Sequence, residues 1–129
     1  MDILNIHHLG LNVNNLQETK EFFTKCLGWS VAKEIPEYPA AFVTNGKAFI
    51  TLWQSDNGAK HFDKKGSIGL HHFALEVATE EALYDVYKKV ADYSGVKVEF
   101  EPELLQDGPA KHCIFYEPGG IRMEFIWAP

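Results

Sequence analysis

The sequence predicts an α+β fold built from two βαβββ modules, and three observations support this prediction. First, HHLGLNV at residues 7–13 and HHFALEV at residues 71–77 are identical at four of seven positions. Second, each copy is followed by a helical pattern of apolar residues that ends at a glycine. Third, three strand-like runs follow each predicted helix. We expect a single domain, 1–129, that contains modules at about 1–56 and 69–129.

The first module is predicted from alternation and spacing. Residues 6–13 (IHHLGLNV) carry leucine, leucine and valine at the alternate positions 9, 11 and 13, which is typical of a strand with one buried face. A helix is predicted over residues 16–27, with Asn14 as its N-cap and Gly28 as its left-handed stop. Three strands are then predicted, at residues 29–35, 40–46 and 47–54.

The second module repeats this order after a polar connection at residues 55–68. HHFALEV opens the module, and Thr79 is the predicted N-cap of a helix whose apolar stripe includes Leu83 and Val90. Gly95 is the predicted end of that helix. Three strands are predicted after it, at residues 97–102, 111–117 and 121–127.

Composition favours small-molecule chemistry. The formal net charge is −6, and the 12 Lys and Arg residues are dispersed, so no basic surface for nucleic acid or an anionic membrane is predicted. The sequence has no apolar run of about eighteen residues, and its first ten residues do not resemble a secretory leader. We expect a soluble cytoplasmic protein with a small-molecule substrate and with no nucleic-acid or membrane partner.

Strand alternation predicts where five polar residues point. His7 and His71 are predicted to face the helix-covered side, whereas His8 and His72 face the opposite side, as does Glu124 in the last strand. Each module leaves one sheet face uncovered, so we expect the two sheets to enclose a shared space. Two imidazoles and one carboxylate are a ligand set that suits Fe, Mn, Co, Ni or Zn and leaves coordination positions open.

The same alternation predicts a group of aromatic side chains around Thr51. Phe49 and Trp53 flank it in the same strand, Phe42 lies in the preceding strand, and Tyr38 lies in a loop bounded by prolines. These five residues are candidates for a substrate pocket that accepts an apolar or aromatic group. Core packing explains the aromatic residues equally well.

Three motifs occur together along nearly the whole chain. They are H-x-x-L-x-V in both modules (HLGLNV and HFALEV), LGW at residues 27–29, and YEPGGIRME at residues 116–124. In this combination the chain resembles the vicinal oxygen chelate superfamily, which includes glyoxalase I, bleomycin-resistance proteins, fosfomycin-resistance transferases and extradiol dioxygenases. The resemblance implies an eight-stranded, incompletely closed barrel and a divalent metal ion held by His8, His72 and Glu124. It also implies a homodimer.

Three departures from the family pattern leave the activity open. Thr51 occupies the position where members that resemble glyoxalase I carry a glutamate ligand and base, and a threonine hydroxyl is not a base at neutral pH. Against the transferases, only Lys111 and Arg122 are obvious partners for a phosphonate. Against the dioxygenases, Ile114 occupies the position of an expected tyrosine.

The leading hypothesis is a glyoxalase-like, divalent-metal-dependent enzyme that acts on a small substrate chelated through neighbouring oxygens, by lyase, isomerase or dioxygenase chemistry. Glu124 and His112 are the candidate catalytic residues, and His112 is the candidate for proton transfer. The alternative hypothesis is a metal-free protein that binds a flat aromatic compound, as bleomycin-resistance proteins do.

Overall fold

The computed structural model describes residues 2–129 and contains two βαβββ modules, which confirms the predicted α+β fold. The chain divides into two compact units, the first ending at Ala59 and the second beginning at Lys60. Each unit contains one four-stranded sheet, and the eight strands described do not form a closed barrel. No helix within residues 2–129 has the length and apolar character needed to cross a membrane.

The first unit contains one helical segment and one mixed sheet. Its elements are β1 (Leu9–Val13), α1 (Leu16–Glu21), a π-helical continuation of α1 (Phe22–Cys26), β2 (Ser30–Ile35), β3 (Ala40–Thr44) and β4 (Phe49–Gln54). The strand order is β1-β4-β3-β2, with β1 parallel to β4 and the other pairs antiparallel.

The first helix begins at Leu16 as predicted, but its N-cap is Asn15 and not Asn14. Asn15 has an extended backbone, which directs its Oδ1 to accept from the backbone N–H of Glu18 at 3.1 Å. The carbonyl of Asn14 instead accepts from the side-chain amide of Gln54 at 2.8 Å. The helical segment ends before Gly28, whose φ of +75° confirms the predicted left-handed stop.

The core of the first unit consists of buried side chains from the sheet and the helical segment. The buried side chains of the strands and the helix are Leu11, Val13, Thr19, Phe22, Phe23, Ala40, Ala41, Val43, Ile50, Thr51 and Leu52. Phe22 and Phe23 are fully buried and contact each other edge to face, with ring centroids 5.7 Å apart. Leu11, Val43 and Leu52 are among the helix-facing residues that stabilise the sheet by apolar burial, whereas Ala40 and Thr51 are buried on the other face.

The second unit has the same order of elements. They are β5 (Phe73–Glu76), α2 (Glu80–Asp92), β6 (Lys97–Leu104), β7 (Lys111–Tyr116) and β8 (Arg122–Trp127). The strand order is β5-β8-β7-β6, again with the outer first strand parallel to the last. The Thr79 hydroxyl accepts from the backbone N–H of Ala82 at 3.0 Å, which confirms the predicted N-cap.

Both opening strands are shorter than predicted, because they begin at Leu9 and Phe73, after the histidine pairs. Alternation along a strand therefore does not fix the direction of these four side chains. The prediction that His7 and His71 face the helix-covered core is wrong, since both are exposed.

Candidate functional site

One face of the second sheet carries most of the polar residues predicted to be functional. In the antiparallel pair β7–β8, Ile114 lies opposite Glu124 and Tyr116 lies opposite Arg122, so these side chains share one face. The other face carries Phe115, Met123 and Phe125, all buried on the side of α2. The predicted division of the last strand into a polar face and an apolar face is therefore present.

Glu124 lies between two imidazole rings. Its Oε2 accepts a short hydrogen bond from Nδ1 of His112, and its Oε1 lies 3.2 Å from Nε2 of His72. Glu124 is only 7% exposed. A buried carboxylate is costly unless it is paired or bound to a cation; here Oε2 has a hydrogen-bond partner, and Oε1 faces the imidazole of His72.

His112 is held on two sides. It is buried, and its ring lies edge-on to the ring of Phe100 on β6, with centroids 4.9 Å apart. The hydrogen bond to Glu124 fixes the other side of the ring. The sequence placed His112 near the site, and the structure brings it into direct contact with Glu124.

The histidine pairs have the same geometry in both units. Nδ1 of His71 lies 2.8 Å from Nδ1 of His72, and Nδ1 of His7 lies 2.9 Å from Nδ1 of His8. The ring centroids are 5.0 and 5.2 Å apart, respectively, in an edge-on arrangement. In the second unit, Nη1 of Arg122 also lies 3.4 Å from Nδ1 of His71.

The buried side chain of Arg122 forms an ion pair with Glu99 that the sequence did not reveal. Its Nε and Nη2 donate to the two carboxylate oxygens of Glu99 at 2.9 and 3.0 Å, and the Tyr116 hydroxyl donates to the same carboxylate at 2.9 Å. The hydrogen bonds from Arg122 lower the pKa of Glu99 to about 2, from an ordinary 4.5. Glu99 lies at a register shift of β6 between Val98 and Phe100, and simple alternation does not place a residue at such a bulge.

Glu99→Gln is expected to lower the free energy of unfolding by about 1–3 kcal/mol at neutral pH, because it leaves the buried guanidinium of Arg122 without its counter-charge. The pKa of Glu99 is lower in the folded state, so the stabilisation is complete above pH 4.5 and is lost as the pH falls towards about 2. Urea unfolding of the wild type and of Glu99→Gln, measured at several pH values in this range, should show that the difference between their free energies of unfolding becomes smaller as the pH falls. Glu101→Gln, at an exposed position of the same strand, is the control. If the difference in free energy of unfolding between the two proteins stays constant across this pH range, the ion pair between Glu99 and Arg122 does not supply the stabilisation.

Lys111 and Arg122, the two cations that the sequence offered as partners for a phosphonate, both contact other side chains of the protein. Arg122 is paired with Glu99, and Nζ of Lys111 lies 3.4 Å from a carboxylate oxygen of Glu80 and 3.4 Å from the hydroxyl of Tyr84. Neither cation points to a phosphonate site.

In the first unit, the predicted pocket residues form an aromatic cluster on the sheet face that α1 does not cover. Ring centroids lie 4.8 Å apart for Tyr38 and Trp53, 5.5 Å for Phe42 and Trp53, and 6.0 Å for Phe42 and Phe49. The Thr51 hydroxyl accepts from Nε1 of Trp53 at 2.8 Å, so Thr51 orients the indole. The structure therefore brings all five residues together.

A cavity of about 470 Å³ lies beside this cluster in the first unit. Tyr38 lines it together with Asn12, Gln54 and the polar segment 55–59. Of the five predicted pocket residues, Tyr38 is the one that lines this cavity. Its walls are mainly polar and would suit hydroxyl groups better than an aromatic ring.

The donor atoms of the second unit fit part of a metal site. Nε2 of His72 and Oε1 of Glu124 are 3.2 Å apart, close to the separation of two neighbouring ligand atoms that each lie about 2.1 Å from one cation. Within residues 2–129, no group of three or more His, Cys, Asp and Glu side chains is arranged to hold an ion. His8 belongs to the first unit, and the three-residue metal site stays a prediction.

Comparisons with known proteins agree with the fold and the motifs. The model of the Glyoxalase/Bleomycin resistance protein/Dioxygenase superfamily matches residues 5–125. A curated relative, the 2-epi-5-epi-valiolone epimerase of an Actinomyces species, is 24% identical over an alignment of 148 residues, which covers 96% of this chain and 79% of that protein.

Two solved structures show the same fold. The glyoxylase/bleomycin resistance protein/dioxygenase domain from Frankia sp. EAN1pec has a TM-score of 0.85 at 20% identity, and the match covers 99% of this chain and 94% of that chain. A glyoxalase family protein from Enterococcus faecalis has a TM-score of 0.76 at 25% identity and covers 98% of this chain and 99% of that chain. Because the family model spans nearly the whole sequence, this chain belongs to the Glyoxalase/Bleomycin resistance protein/Dioxygenase superfamily.

Proposed function

We propose that this chain is a divalent-metal-dependent isomerase that moves a proton at a carbon next to a carbonyl group in a small, oxygen-rich substrate. The observation that carries the proposal is the carboxylate of Glu124, buried and flanked by imidazoles of His72 and His112. The epimerase from Actinomyces supports the isomerase branch over the dioxygenase branch, because it is similar to nearly all of this chain.

His8, His72 and Glu124 are the residues proposed to hold the cation. Imidazole nitrogens and a carboxylate oxygen are suitable donors for Fe, Mn, Co, Ni or Zn. When bound, the cation would supply Lewis-acid stabilisation of negative charge on two neighbouring substrate oxygens. The homodimer implied by the family resemblance also stays a prediction.

His112 and Glu124 are proposed to handle the proton. In epimerisation the C–H bond breaks and its electron pair moves toward the carbonyl oxygen. The same carbon then regains a proton from a water molecule on the opposite face, while the proton removed first is released to solvent, so the composition of the substrate does not change. The hydrogen bond between His112 and Glu124 lets the pair take up one proton from that carbon and hold it at a fixed place. The ring contact with Phe100 restricts rotation of the imidazole, which keeps this proton aligned.

The polar cavity and aromatic cluster of the first unit are the proposed substrate-recognition elements. Hydroxyl groups are suitable partners for the polar segment at residues 55–59, and an apolar ring face suits Trp53 and Phe42. This combination favours a cyclic substrate that bears several hydroxyl groups.

The proposal is tested by deuterium exchange. The protein is loaded in turn with Mn²⁺, Co²⁺, Ni²⁺, Zn²⁺ and, without oxygen, Fe²⁺, and is incubated in D₂O with 2-epi-5-epi-valiolone and with simpler cyclic hydroxyketones. Proton NMR should show loss of the signal from the hydrogen next to the carbonyl, with at least one metal and not after chelation. If no metal supports exchange in any of these substrates, the isomerase proposal is wrong.

The aromatic cluster favours a second candidate function, in which the protein binds a flat aromatic compound without metal. The rings of Tyr38 and Phe42 both contact the ring of Trp53. An aromatic ligand can add a further ring to this cluster. Quenching of tryptophan fluorescence by planar aromatic compounds in the presence of chelator tests this function. It is favoured over the isomerase if such compounds stabilise the chelated protein and no metal ion does.

A further inference from the structure

We propose that His71 is a positioning residue that fixes which nitrogen of His72 faces the candidate metal position, and that His7 does the same for His8. This inference rests on the proposed function, because it gives the paired histidines of each module a common role. It starts from the 2.8 Å contact between Nδ1 of His71 and Nδ1 of His72. Two ring nitrogens this close form a hydrogen bond only if one of them carries a proton and the other does not.

The contact with Arg122 determines which of the two ring nitrogens carries the proton. A guanidinium group has donors only, and Nη1 of Arg122 lies 3.4 Å from Nδ1 of His71. Nδ1 of His71 therefore accepts, and the proton between the two rings belongs to Nδ1 of His72. Arg122 is itself held in place by two hydrogen bonds to Glu99, so the donor has a fixed direction.

This hydrogen bond also determines the role of the second ring nitrogen of His72, Nε2. With Nδ1 donating to His71, Nε2 is the nitrogen left to face Oε1 of Glu124, 3.2 Å away. Two lone pairs at this distance repel each other unless a proton or a cation lies between them. The arrangement therefore prepares Nε2 of His72 and Oε1 of Glu124 to share one positive centre. Histidine ligands usually donate their second N–H to a carboxylate or carbonyl, and here a second imidazole takes that place.

The first unit repeats the contact between the two imidazoles. Nδ1 of His7 lies 2.9 Å from Nδ1 of His8, with the same edge-on contact between the rings. The duplicated HH therefore produces the same ring contact in both modules, and the proposal extends the role of His71 to His7 on that ground. Neither strand alternation nor the motif H-x-x-L-x-V assigns a role to the first histidine of each pair.

Nitrogen-15 NMR of the imidazole rings tests the hydrogen-bond assignment without any activity measurement. We expect Nδ1 of His71 to be unprotonated and Nδ1 of His72 to be protonated at mildly alkaline pH, both in the metal-free protein and with Zn²⁺. A proton on Nδ1 of His71, or a bare Nδ1 on His72, would overturn the inference. This result does not depend on whether the metal binds.

Calorimetric titration with Co²⁺ tests the consequence for metal binding. His71→Ala is expected to weaken Co²⁺ binding by about 10- to 100-fold, and His71→Asn, whose amide oxygen can accept from Nδ1 of His72, should recover most of the loss. His61→Ala, an exposed histidine of the same unit, is the matched control and should bind as the wild type does. Wild-type affinity in folded His71→Ala would overturn the inference. If the unsubstituted protein binds no Co²⁺ or other tested ion, the proposed metal function fails, and the NMR result alone decides the role of His71.

Discussion

Glu124→Gln is expected to abolish Co²⁺ binding and to lower the rate of deuterium exchange by about 10³-fold or more. The amide has nearly the same shape as the carboxylate but lacks its negative charge, so it removes the anionic ligand and the proton acceptor together. Both imidazoles that contact Glu124 remain, and the amide can still hydrogen-bond to His112 or His72. The loss should therefore appear in metal binding and rate rather than in folding.

Three measurements check this expectation on the same samples. Calorimetry with Co²⁺ gives the affinity, proton NMR in D₂O gives the exchange rate, and thermal unfolding in chelator shows that the variant folds. Glu81→Gln, at an exposed position in the first turn of α2, is the charge-matched control. Co²⁺ affinity equal to that of the wild type in Glu124→Gln would show that Glu124 is not a ligand.

Local patterns were sufficient to predict the elements and the two faces of each sheet. Alternation placed Met123 and Phe125 on one face and Glu124 on the other, since the period of two holds along a regular antiparallel strand. Gly28, with its positive φ, marked the end of the first helical segment, because few other residues adopt that conformation. The second helix already ends at Asp92, where Tyr93 turns to an extended backbone, so Gly95 lies beyond its end.

The same patterns failed where the backbone leaves the regular period. The histidine pairs precede β1 and β5, so their directions are set by side-chain hydrogen bonds that no periodicity encodes. Glu99 lies at a bulge of β6, and its pairing with Arg122 depends on that local shift in register. The contact between His112 and Glu124 crosses the β7–β8 pair diagonally, because Ile126 lies directly opposite His112.

Phe115→Ala is expected to lower the free energy of unfolding by about 3–5 kcal/mol, which is a large part of the stability of a small protein. Phe115 is 1% exposed, and its ring stacks on that of Phe125 with centroids 5.3 Å apart. Truncation removes this contact and leaves a cavity between the sheet and α2 that a close-packed core fills only in part. Urea unfolding followed by circular dichroism gives the change in free energy, and Phe115→Leu should lose much less.

Phe115 and Glu124 lie on opposite faces of adjacent strands, so the substitution of Phe115 should change stability without changing the metal ligands. Metal that binds only the folded state should raise the unfolding midpoint of Phe115→Ala by about as much as it raises that of the wild type. A variant that loses stability and also loses this metal-dependent increase would show that the core residue positions the ligands through the strands. A loss below about 1 kcal/mol would contradict the assignment of Phe115 to the core of the second unit.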